Sequence, residues 1–141
     1  MIFVLFIQII STAMMVAIIW VIQTLHYPSF QFIDKNKFLD FHTFHSRQIT
    51  YIVMPLMLME IATAAYIILL FNYNKLLIVN FILLIAIWLI TFFISVPKHS
   101  ALSSGKNKII INLLISTNWF RTCLWTLRLI ILTTYLYYFV A

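Results

Sequence analysis

The sequence predicts an all-α integral membrane protein, a four-helix up-down bundle built as two similar two-helix halves. Three observations carry this. First, 65% of the 141 residues are hydrophobic and only 9% are charged, whereas soluble domains carry about half apolar and about a quarter charged residues. Twelve charges cannot cover a water-facing surface, and the same abundance of apolar side chains excludes disorder. Second, four long apolar runs are continuous rather than alternating, which favours helices over a barrel. Third, the lone Cys123 excludes a disulfide scaffold.

A bilayer crossing needs roughly 20 apolar residues. Residues 1–25 carry no charge, 48–71 carry Glu60, 76–96 carry none, and 119–140 carry Arg121 and Arg128. These spans and the connections 26–47 and 97–118 fill a single transmembrane domain, 1–141. The first run lacks the basic start of a signal peptide and exceeds its usual apolar length, so it reads as a retained helix. Asn72–Lys75 reads as a tight turn. In an up-down bundle both long connections share one side. They carry Lys35, Lys37, Arg47, Lys98, Lys106 and Lys108, against Lys75 on the other side. The positive-inside rule places them in the cytoplasm and both termini opposite. The net charge of +6 is thus a topology signal. It gives no basic stripe for nucleic acid.

The halves share an order of elements: a span, an exit at Tyr27-Pro28 or Val96-Pro97, a connection containing Lys-Asn-Lys, and a second span. Sites in repeat-built membrane proteins often lie where the repeats meet. Phe38–Ser46 and Ile109–Thr117 have helical character, either as interfacial helices or as inward continuations of the following spans.

Polar residues concentrate at the long connections. His26, His42, His45 and His99 all lie there, and His42 and His45 share a helix face. Three or four imidazoles suit a transition metal such as Fe, Cu or Zn. Proton transfer, or plain hydrogen bonding at the interface, are the alternatives. Glu60 and Arg128 lie about 18 and 14 Å into spans that start from the same side, taking 1.5 Å per residue. An unpaired charge at that depth costs at least about 2.5–3.5 kcal/mol, so the two are expected to pair. Asn118, Arg121, Trp125 and Arg128 make one helical stripe that must face the bundle interior. Gln23 and His26 join from the first span. Ser11 and Thr12 are expected to bond their own backbone, and the methionines near Pro55 to pack in the core rather than carry copper.

These residues suggest one cavity that opens near the cytoplasmic interface and reaches the bilayer centre. Its catalytic candidates are His26, His42, His45, His99 and Arg121, the four histidines being also the metal candidates. Its substrate-binding candidates are Gln23, Glu60, Asn118, Trp125 and Arg128. Such a cavity suits a small lipophilic molecule with a polar head, with arginine holding an oxyanion and histidine taking a proton.

Val96-Pro97, Leu102 and Asn118-Trp119-Phe120-Arg121-Thr122 resemble the anthrone-oxygenase-like family of small four-span membrane proteins, over about the second half of the chain. The resemblance implies a four-helix bundle, oxygenation of polyketide-derived phenols without an established metal, and site roles for Asn118 and Arg121. The sequence departs from that pattern at His99, where Asn is common in the family, and in Phe41-His42…His45. The departures favour a different, histidine-dependent chemistry. The expected function is an oxidoreductase or oxygenase-like enzyme acting on a small lipophilic substrate, in contact with membrane lipid. The alternatives are a proton-coupled transporter, which with four spans would have to oligomerise, and an accessory subunit.

Overall fold

A computed structural model describes residues 2–70 and 74–140, and every described element is helical. The turn expected at Asn72–Lys75 falls largely outside the described residues. There are four long helices: α1, Ile2–Ser29; α2, Lys35–Leu70; α3, Lys75–Leu102; and α4, Lys108–Val140. The first three are long and apolar enough to cross a membrane. Phe38–Ser46 and Ile109–Thr117 are continuous with α2 and α4, so the inward-continuation reading holds.

Local chemistry sets the helix ends. The Asp34 carboxylate accepts from the Asn36 amide (2.9 Å). The Asn74 side chain caps α3, accepting from Leu76 and Leu77, and Asn107 caps α4, accepting from Ile109 and Ile110. Each satisfies amides that a helix start leaves without partners. Gly105, the only glycine of the chain, sits between α3 and α4 at φ +133°, a backbone conformation that side-chain-bearing residues rarely adopt.

Both halves contain a π-helical turn at the same distance before proline. Ile22–His26 precedes Tyr27-Pro28, and Thr91–Ser95 precedes Val96-Pro97. Proline has no amide hydrogen and crowds the carbonyl four residues back. The widened turn absorbs this: the Tyr27 amide donates to Ile22 O and the Val96 amide to Thr91 O. The likeness of the halves therefore lies in these turns. The Lys-Asn-Lys tripeptides do not match structurally, because Asn107 is a helix cap whereas Asn36 lies inside α2, after its cap Asp34. The two connections touch, with Lys106 Nζ donating to Gln31 O (2.7 Å) and Ile33 O (2.5 Å).

The interior alternates between apolar and polar layers. At the connection end, Ile22, Phe30, Phe38, Leu102, Ile111 and Leu114 pack together. In the middle lie Met15, Ile19, Leu56, Met57, Ile87 and Trp125. At the other end lie Leu5, Ile67, Leu77, Leu132 and Tyr135. Buried polar residues occupy the two gaps, while Phe3, Leu69, Phe93, Ile109 and Phe120 are exposed. Polar inside and apolar outside is the arrangement a lipid solvent selects.

Candidate functional site

The deeper polar layer draws on all four helices. Arg128 Nη1 lies 2.5 Å from Glu60 Oε1, with both side chains fully buried. Glu60 also accepts from Thr12 Oγ1 (2.8 Å) and from the Trp125 indole (3.0 Å). Asn80 Nδ2 donates to Arg128 O (2.9 Å), and Arg128 Nε donates to Asn80 Oδ1 (3.4 Å). The pairing expected from matched depth is therefore present. Thr12 corrects its expectation: it reaches across to Glu60, whereas Ser11 does bond its own helix, at Ile7 O and Gln8 O. Asn80 was not singled out in the sequence, and its only signal is an amide inside an otherwise apolar span.

The second polar layer lies where the two π-turns and the starts of α2 and α4 meet. The turns place His26 and Tyr27 on α1 and Ser95 and His99 on α3. His26 Nε2 lies 2.5 Å from His45 Nδ1. His42 Nε2 lies 3.2 Å from His99 Nδ1, and His99 Nε2 lies 2.9 Å from the Tyr27 hydroxyl. Aromatic rings hold the imidazoles in place: Phe38 stacks on His42 (5.8 Å between centroids), and Phe30 meets His45 edge-on (5.2 Å). All four histidines thus enter one cluster, with the His45 and His99 ring centroids 6.0 Å apart.

The arrangement gives no support to the metal ligand set expected of His26, His42, His45 and His99. The closest ring nitrogens face one another in pairs, and among the described residues no group of three or more His, Cys, Asp or Glu is placed to hold one ion. A tetrahedral centre needs nitrogens about 2 Å from a shared point.

Arg121 adjoins this cluster and is buried. Its Nη1 donates to Asn118 Oδ1 (3.2 Å) and Ser95 Oγ (3.4 Å), and its guanidinium lies over the Trp125 ring, 5.2 Å from the centroid. Asn118 is itself held by Gln23, with Nδ2 donating to Gln23 Oε1 (2.8 Å). Gln23 then donates to Ile115 O (3.1 Å). Gln23 and Asn118 thus position Arg121. Trp125 joins the two layers, its ring beneath Arg121 and its N–H on Glu60.

Two cavities flank the start of α2. One, of about 440 Å³, is lined by Tyr27, His42, Trp88, Ser95, His99 and Arg121 among mainly apolar side chains and several Ser and Thr hydroxyls. The other, of about 460 Å³, lies between α1 and α2 and is almost wholly apolar apart from His26, His45 and Gln48. The single deep cavity expected from sequence is replaced by this arrangement. Glu60, Trp125, Arg128, Asn118 and Gln23 line neither space: Trp125 and its apolar layer separate the Glu60–Arg128 pair from the histidines, and the amides of Asn118 and Gln23 are spent on each other, on Arg121 and on Ile115 O. Tyr27, Ser95 and Trp88 are additions. Tyr27 precedes Pro28 directly and Ser95 lies two residues before Pro97, a position whose meaning depends on the π-turn.

Comparison with family models, with curated proteins and with solved structures finds no match to this chain.

Proposed function

We propose that the protein is a membrane-embedded oxidoreductase or oxygenase-like enzyme that removes a proton from a small lipophilic substrate held in the Arg121 cavity. The carrying observation is the hydrogen-bonded series Tyr27–His99–His42 along the wall of a cavity that also receives a buried guanidinium. A neutral imidazole at hydrogen-bonding distance is the usual general base. A fixed cation beside it stabilises the charge that develops on the substrate. Both ring nitrogens of His99 are engaged, Nε2 by Tyr27 and Nδ1 by His42, so the proton reaches it by relay: the Tyr27 hydroxyl accepts the substrate proton as it passes its own to His99 Nε2, His42 orients the ring, and the deprotonated substrate is the electron-rich form that an oxidant such as dioxygen attacks. The resemblance to the anthrone-oxygenase-like family points to phenol-type substrates, while His99 and His42 fit a histidine-dependent variant of such chemistry.

In this reading all four helices span the bilayer as an up-down bundle, with the connections cytoplasmic. The α4 helix qualifies because its polar residues Asn118, Arg121, Thr122 and Arg128 are buried and its outer face presents Leu113, Phe120, Leu127 and Ile130. The cavity is complete within one chain, which favours an enzyme over an accessory subunit. The neutralised Glu60–Arg128 pair lines neither of the two cavities, which gives a proton-coupled carrier less support.

The test is protein-dependent oxygen uptake in proteoliposomes given anthrone and a panel of lipophilic phenols and hydroquinones. At least one compound is expected to be consumed, with the rate reduced by about 10²-fold or more in His99→Gln. Uptake that is unchanged in His99→Gln, or absent across the panel, overturns the assignment.

A further inference from the structure

Charge accounting identifies what the Arg121 cavity takes. The chain has three acidic residues. Asp34 and Asp40 are exposed in and before the first turns of α2, and Glu60 is engaged by Arg128. No carboxylate is left for Arg121, whose side chain is 94% buried by its 6% exposure. A buried guanidinium without a counter-charge is costly in a low-dielectric interior. Its Asn118, Ser95 and Tyr27 partners are neutral at ordinary pH, and its Nε has no hydrogen-bond partner. Two further nitrogens on residues of the same cavity wall are buried and unpartnered: Trp88 Nε1 and His42 Nδ1. Indole and guanidinium nitrogens are donors only. The cavity therefore offers one full positive charge and unused N–H groups, while most of its remaining lining is apolar.

We propose that the cavity binds the monoanion of a lipophilic weak acid, a carboxylate or a phenolate on an apolar body, with the anion beside Arg121 and Trp88. The ligand supplies the counter-charge that the sequence omits. This rests on the same cavity as the enzymatic reading but not on its chemistry, since binding needs no turnover.

The experiment is calorimetric titration of the detergent-solubilised full chain with three probes of like shape: naphthoate, naphthol and naphthalene methanol. At neutral pH naphthoate is ionised and the other two are neutral. Above the phenol's pKa, naphthol is ionised as well. Naphthoate is expected to bind about tenfold or more tighter than the alcohol if a carboxylate is accepted, and naphthol is expected to gain a similar factor on ionisation if a phenolate is. Arg121→Gln should abolish the difference between charged and neutral probes, and Arg121→Lys should retain part of it. Should Arg121→Gln fail to fold, Trp88→Phe serves in its place and is expected to weaken the anions severalfold without affecting the alcohol. Equal binding of charged and neutral probes overturns the inference, as does an anion preference that survives Arg121→Gln. Displacement of naphthoate by phosphatidylglycerol would assign the cation to a lipid headgroup and would also overturn it. Anion binding without oxygen uptake would leave this inference standing and remove the enzymatic one.

Discussion

Arg128 and Arg121 lie seven residues apart on one face of α4, yet their surroundings differ in kind. Arg128 has a carboxylate from α2 and an amide oxygen from α3, leaves only Nη2 without a partner, and lines neither of the two cavities described. Arg121 likewise keeps an unused N–H, but it has only neutral partners and borders a space that would hold a small molecule. The contrast teaches that a buried charge signals function through what is missing around it. The charge-neutralised site ties the helices together, and the uncompensated one borders a cavity.

The strongest way to break this comparison is to remove one member of the complete pair. Glu60→Gln or Arg128→Gln leaves an uncompensated buried charge and should cost about 3–5 kcal/mol. This is read as loss of folded protein or a large fall in Tm in detergent. The double variant should lose less than the sum of the two, because neither charge is then stranded.

Arg121→Gln sharpens the contrast from the other side. No carboxylate is stranded by it, so its stability cost should stay under about 2 kcal/mol while anion binding and turnover disappear. A collapse in stability as severe as that of Glu60→Gln would show that the two sites do not differ as argued.

Trp125→Phe separates the roles of the residue that touches both. It keeps a ring beneath Arg121 and deprives Glu60 of one donor, with an expected cost of about 1–2 kcal/mol in thermal unfolding and little change in ligand affinity. Tyr27→Phe is the mildest. It removes one hydroxyl from His99, and the turnover rate should fall while the unfolding free energy shifts by about 1 kcal/mol.

The sequence alone made the broad outline legible. Charge scarcity identified a helical membrane protein, and counting residues from the same membrane face paired Glu60 with Arg128. The spacing of Asn118, Arg121, Trp125 and Arg128 correctly marked the inward face of α4. What stayed hidden depends on features without a sequence period. The π-turns rotate Tyr27, Ser95 and His99 relative to a regular helix, so spacing rules misplace them. Thr12 and Asn80 are uncharged, and nothing in an apolar run says that their partners stand on other helices. The histidines could be gathered to one end by counting, but their pairing depends on the rings of Phe30 and Phe38, which only packing reveals.

With all four helices spanning as proposed, the Glu60–Arg128 contact also bears on the order of assembly. In the proposed four-span reading, α4 alone in lipid would bring two arginines into the hydrocarbon at about 2.5–3.5 kcal/mol each on the insertion scale, and among the described helices long enough to span it is the one not apolar enough by composition. The carboxylate that lowers this cost arrives on α2, earlier in the chain. On that reading, insertion should proceed with α1 to α3 waiting in the membrane as a receptor for the last helix. A chain carrying Glu60→Gln should show its fault first as a fourth segment left outside the bilayer, accessible to a labelling reagent at Cys123.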